Sequence, residues 1–179
     1  MLTAALPPQP IPALVVGLVV LTASTDIVCR RVPNRVIAMG LVAAFVVQAF
    51  LLGPVTGLGD ALAGTLAGFA LLIPLYLLHA TGAGDVKLLA MIGAWVGPTT
   101  ILYVALAAFI IGGAWSIAWT LFRGRMQQLL LNLWSITHGG WRLRHEGPSD
   151  TSGIKSVGTL PYGVAIAAGT LVTLFMSAA

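Results

Sequence analysis

Apolar residues fill most of this chain in long runs, and polar or helix-breaking residues gather in the short stretches between them. Read for length and for breaks, the pattern predicts apolar helices over 11–28, 35–53, 59–79, 85–97, 99–122 and 158–177. A helix needs about 20 apolar residues to cross a hydrocarbon core about 30 Å thick, so the fourth is short. At about 1.5 Å per residue it crosses only if neighbouring residues extend it or its Gly-rich start is recessed. Recessed irregular backbone is tolerated only where protein or water covers it. Between the first two runs, Pro33 disfavours helix at the residue before it and marks the turn into the second.

Composition agrees with a bilayer as solvent. The 179 residues are 58% hydrophobic and 8% charged, with a mean hydropathy of +0.98, against about 25% charged in a soluble domain. The expected fold is all-α: a polytopic integral membrane protein with about six transmembrane helices, forming one membrane-embedded domain over 1–179. One loop is long, at about 123–157. Its Leu-rich stretch 126–136, with Gln127, Gln128 and Asn132, reads as an interfacial segment, and the mixed, Gly/Ser/Thr-rich remainder reads as loop. No repeat halves the chain in the manner of many transporters. The single cysteine, Cys29, allows neither an internal disulfide nor a multi-cysteine zinc site.

Charge placement gives an orientation. Residues 11–23 resemble the apolar region of a signal peptide, but no Lys or Arg precedes them, whereas Arg30, Arg31 and Arg35 follow. The reading is therefore a retained first span with its N-terminus outside. Spans that alternate from there put the loops after the first, third and fifth in the cytoplasm. Those segments hold Arg30, Arg31, Arg35, Lys87, Arg123, Arg125, Arg142, Arg144 and Lys155, which are all nine basic residues, as the positive-inside rule requires. The same threading brings Asp26 and Asp85 to the cytoplasmic side and leaves Asp60 outside.

Asp26 ends the first apolar run, and Asp85 stands at the head of the fourth in Gly82-Ala83-Gly84-Asp85-Val86-Lys87. An ionisable group in a span costs about 2.5–3.5 kcal/mol on insertion scales, which makes function its default explanation. The structural alternatives are a polar helix end beside arginines for Asp26 and an ordinary N-cap for Asp85. Asp60, after Gly59, reads as an N-cap at the outer face. Lys87 reads as a snorkelling anchor, with tuning of Asp85 as the lesser role. Gly82 and Gly84 read either as a tight turn or as backbone that adopts angles closed to other residues and lets a substrate approach closely. His79, His138 and His145 lack a ligand spacing, so no metal site is expected. Pro161 is well placed to start the last helix.

Taken together, Asp26 followed by Val32-Pro33-Asn34, then Gly82-Ala83-Gly84-Asp85-Val86-Lys87-Leu88-Leu89, then Leu160-Pro161-Tyr162-Gly163, resemble the type IV prepilin peptidases. These are GxGD-type membrane aspartyl proteases, and the three motifs stand in that family's order. The likeness is to the short branch that serves Flp or tight-adherence pili. Longer members carry a cytoplasmic insert with paired Cys-x-x-Cys motifs and many methylate the new pilin N-terminus; with no such cysteines in this sequence, zinc binding and methyl transfer are not carried over. Val32 stands where Ile is more familiar, a conservative change.

The resemblance implies Asp26 and Asp85 as the catalytic pair, Pro33, Asn34, Gly82, Gly84 and Lys87 as supporting motif residues, and Pro161, Tyr162 and Gly163 as a border of the active site. It implies no cofactor. The implied substrates are prepilins or pseudopilins, cut after a leader Gly at the cytoplasmic face of a bacterial inner membrane. Membrane lipid and pilus assembly machinery are the other implied partners, and nucleic acid is not one. Peptide hydrolysis needs a base to activate water and an acid to protonate the carbonyl oxygen and the leaving amine. Two carboxylates sharing one proton supply both. The helix-start position of Asp85 favours its anionic form by about 0.3–1 kcal/mol, which leans the base toward Asp85. A proton-coupled transporter and a non-enzymatic pilus assembly subunit are the alternatives. The first uses intramembrane carboxylates but usually more spans and a repeat, and the second needs neither acid.

Overall fold

The computed structural model describes residues 10–29, 33–78, 81–122 and 162–178. It separates into two compact units, residues 1–112 with 161–179 and residues 113–160. Of the second, only the helical stretch 113–122 falls among the described residues. Regular structure among the described residues is entirely α-helical: α1 (Ile11–Cys29), α2 (Asn34–Leu52), α3 (Pro54–Leu77), α4 (Ala83–Phe122) and α5 (Tyr162–Ala178). Three of them, α2, α3 and α4, are long and apolar enough to cross a membrane, and α1 and α5 contain shorter apolar helices over Ile11–Asp26 and Tyr162–Ser177. The chain is an all-α polytopic membrane protein.

Two Gly-Pro pairs turn the chain. Gly53 has φ 87° and ψ 156°, and Gly97 has φ 80° and ψ 172°, a region essentially closed to residues with a Cβ. Pro54 and Pro98 follow, each at the start of a helical segment, where proline's fixed φ suits the helix and its missing N–H is not needed. At Gly53 the chain folds back, bringing Gly57 against the carbonyl of Gln48. At Gly97 a Cβ placed on Gly93 would lie 3.4 Å from Cγ1 of Ile101, whereas residues eight apart on an unbroken helix are separated by about 12 Å. Helix α4 is thus two segments, 83–96 and 98–122, as the sequence pattern predicts. The turn at Gly53 starts α3 earlier than the expected 59, so Asp60 lies inside the helix and is not its N-cap; Gly53 holds that position.

The segment 83–96 forms the centre. Every residue from Leu88 to Gly97 is buried, the mark of a helix surrounded by others. Neighbouring backbones reach it through glycines, the usual means of close approach between helices in lipid. Gly40 of α2 receives the side chain of Met91, Gly64 of α3 meets Gly93 backbone to backbone, and Gly68 lies against the carbonyl of Leu89. Trp95 Nε1 donates to the Gly40 carbonyl at 3.0 Å. Gln48 Nε2 donates to the carbonyls of Ala94 (3.2 Å) and Trp95 (2.9 Å), two acceptors that the break at Gly97 would otherwise leave orphaned. Helix α5 brings Gly169 against Val104 and Ala108 of the second α4 segment and packs on α1.

Candidate active site

The inward face of α1 is a single seam of Ile11, Val15, Val19, Thr22 and Asp26, spaced as one stripe of a 3.6-residue helix. Thr22 satisfies its hydroxyl locally, against the carbonyls of Leu18 and Val19. Asp26 is 8% exposed, so the same periodicity that buries three aliphatic side chains carries a carboxylate inward.

The start of α5 meets that carboxylate. A Cβ on Gly163 would sit 2.6 Å from Asp26 Oδ2 and 3.2 Å from Cγ, so glycine alone lets the α5 backbone come this close. The Gly163 N–H, one of the donors that a helix start leaves free, supports the carboxylate. Oδ2 itself is buried with no hydrogen-bond partner among the described residues.

Asp85 is in the first turn of α4. It is not the N-cap, because the helix begins at Ala83; its Oδ2 reaches back to accept the Gly82 N–H at 3.2 Å, which is the return arm of a capping box. This fixes the side chain at the helix start. The charge of Asp26 reaches Asp85, so the two acids singled out by the sequence lie within electrostatic reach. Positive φ among the described glycines occurs at Gly53 and Gly97. Gly82 and Gly84 therefore do not use left-handed backbone, which corrects that part of the sequence reading.

Other motif residues make contacts of their own. Pro33, in extended conformation (φ −63°, ψ 124°), caps α2 without a side-chain bond, and the next residue, Asn34, accepts a hydrogen bond from Lys87 Nζ at 3.2 Å. That bond ties the Pro33-Asn34 element to the Gly82–Lys87 element across 53 residues of chain and gives Lys87 a protein partner, which the sequence reading did not foresee. Tyr162 opens α5. Its ring is tilted against Phe109, with centroids 6.4 Å apart and 53° between planes, and the charge of Asp85 acts on its phenol. Pro161, Val32, Arg30, Arg31, His79, His138, His145 and the loop 123–157 lie outside the described residues. The contact of Gly163 with Asp26 and the part played by Phe109 were not legible in the sequence. Only the Tyr-Gly step at a helix start hinted at the first.

Apolar helices, two of which bring carboxylates within electrostatic reach, define an integral membrane protein. Residues 13–117, more than half of the chain, match the type IV leader peptidase family, and the chain belongs to that family. It is similar to the prepilin leader peptidase/N-methyltransferase of Aeromonas salmonicida (strain A449), 39% identical over 84 residues that cover 43% of this chain and 29% of the relative. The protein of the same description from Aeromonas hydrophila matches with the same identity and coverage. The aligned part thus spans under a third of these curated relatives. No solved structure matches.

Proposed function

We propose that this chain is a membrane-embedded aspartyl endopeptidase that removes the short basic leader from Flp-type prepilins or pseudopilins, with Asp26 and Asp85 as its acid pair. The observation that carries the reading is the convergence of three chain segments far apart in sequence, Asp26 of α1, Asp85 of α4 and Gly163 of α5, within a member of the type IV leader peptidase family. One carboxylate accepts a proton from the attacking water and later passes it to the leaving amine, while the other protonates the carbonyl oxygen. Close like charges keep one of the two protonated over a window of pH.

In this reading the chain is one peptidase domain in the inner membrane of a bacterium, with its N-terminus outside and its acids toward the cytoplasm. The arrangement of basic residues supports that orientation. The pilin's hydrophobic helix lies among the spans and presents the scissile bond at the interface, where water is available. The leader and the enzyme's cytoplasmic side are both basic, so anionic lipid and the two acids offset their repulsion.

The test is cleavage of a co-reconstituted Flp-type prepilin in liposomes by wild type, Asp26→Asn, Asp85→Asn and Asp60→Asn. Processing is expected to vanish in the first two variants and persist in the third, with all four equally folded. Continued cleavage by both variants of the pair would remove the assignment.

A further inference from the structure

Among the described residues, four buried side-chain polar atoms have no hydrogen-bond partner within the protein: Asp26 Oδ2, Gln48 Oε1, Thr81 Oγ1 and Tyr162 Oη. Roughly nine in ten or more such atoms are paired in folded proteins, because leaving one unpaired costs about 1–3 kcal/mol. Asp26 and Tyr162 belong to the candidate site, and Thr81 adjoins Gly82 in the chain. Gln48 differs, since its amide nitrogen already caps two carbonyls and that duty fixes which way the amide points.

Tyr162 is held as a donor with nothing among the described residues to receive it. Its ring lies against Phe109 and Gly112, where a Cβ would lie 3.6 Å from Cε2. Its backbone is set by the next residue, Gly163, against Asp26. With two side-chain torsions and a braced ring, the hydroxyl has little freedom to find a partner elsewhere. The Asp85 charge reaches it, in keeping with the place of the adjoining Gly163 beside Asp26. A buried tyrosine hydroxyl usually finds a partner, and what this one lacks is an acceptor. In peptide hydrolysis an acceptor arrives with the substrate, as the scissile carbonyl oxygen.

Resting on the peptidase reading above, we infer that Tyr162 is a third catalytic residue whose hydroxyl donates a hydrogen bond to the scissile carbonyl oxygen as charge gathers there. The water oxygen bonds to the carbonyl carbon and gives one proton to the ionised carboxylate. The carbonyl π pair moves to oxygen, which takes the proton of the other carboxyl, leaving a gem-diol. One hydroxyl of that gem-diol then returns its proton to the second carboxylate as C=O reforms. The C–N bond breaks with its pair on nitrogen, which takes the proton held by the first. Tyr162 keeps its own proton throughout and stabilises the oxygen while its charge is greatest.

The deciding experiment is steady-state cleavage of a Flp-type prepilin by the full chain in liposomes, comparing wild type, Tyr162→Phe, Asp26→Asn and Asp85→Asn. Losing one donor to a developing oxyanion costs about 10²–10³-fold in kcat. That drop, with KM within twofold and melting unchanged in Tyr162→Phe, is the expected result. A kcat near wild type, or a raised KM with kcat intact, overturns the role of Tyr162 while inactive Asp variants leave the peptidase reading standing. Active Asp variants overturn both. Should Tyr162→Phe fail to fold, 3-fluorotyrosine at 162 keeps the ring and hydroxyl but alters donor strength. A changed kcat then supports the role and an unchanged one overturns it.

Discussion

The central segment 83–96 of α4 is finished differently at its two ends. At the Gly97 end, Gln48 caps the carbonyls of Ala94 and Trp95, Trp95 donates to Gly40, and Gly64 and Gly93 close the backbones together. One acceptor, Gln48 Oε1, is left without a partner there, beside a cavity of about 250 Å³ lined by Gln48, Asp60 and Trp95 among others. At the Gly82 end, a carboxylate oxygen and two hydroxyls are buried without partners in and beside the motif. The first end uses its polar groups to hold helices; in the proposed peptidase, the second holds polar groups that the described residues leave for a substrate. A core tolerates that cost where chemistry is done.

Gly163 tests this contrast most severely. Alanine there drives a methyl to 2.6 Å from Asp26 Oδ2, so the carboxylate must move, and a misplacement of about 1 Å in a catalytic group can cost about 10²-fold in rate. Gly163→Ala is therefore expected to lose prepilin cleavage by about that factor while melting close to wild type in detergent, since a single side chain yields and no backbone meets backbone. A lowered melting temperature with full activity per folded molecule would erase the distinction between the two ends.

The opposite end predicts the opposite phenotype. Gln48→Leu leaves two buried carbonyls without their donor, a loss of about 1–3 kcal/mol, and the low end is expected because the change also removes the unpaired Oε1. Thermal unfolding in detergent reads that loss. Cleavage per folded molecule should stay within twofold. An activity loss at unchanged stability would mean that the capped end transmits strain along 83–96 to Asp85.

Much of this was legible from one dimension. The apolar runs and the Gly-Pro pairs give the helices and their breaks, because both depend on local backbone and side-chain chemistry. Asp26 and Asp85 stood out because charge in an apolar run is expensive wherever the helices go. Asp60 was misread as an N-cap, and the N-cap alternative weighed for Asp85 fails for the same local reason. An Asp beside glycine suits that position, but Gly53-Pro54 had already started α3 and Ala83 had already started α4. What stayed hidden were contacts between spans. The distance from Gly163 to Asp26 and the bond from Lys87 to Asn34 depend on which helix faces lie together, and apolar sequence on all sides of the central segment leaves those faces unmarked.

Lys87 offers the finest test of where the reactive end stops. Its bond to Asn34 is exposed, and exposed charged contacts are worth about 1 kcal/mol at most. Lys87→Met therefore has a ceiling. If the bond only steadies the starts of α2 and α4, the cleavage rate falls by no more than about fivefold even when all of that energy is felt at the site, and stability stays within about 0.5 kcal/mol. Rates of Lys87→Met and Asn34→Ala, singly and together, decide it: a shared tie makes the double variant no worse than either single one. A hundredfold loss in Lys87→Met alone, with Asn34→Ala near wild type, exceeds what that tie can supply and would extend the reactive end to Lys87, acting directly on the acid pair.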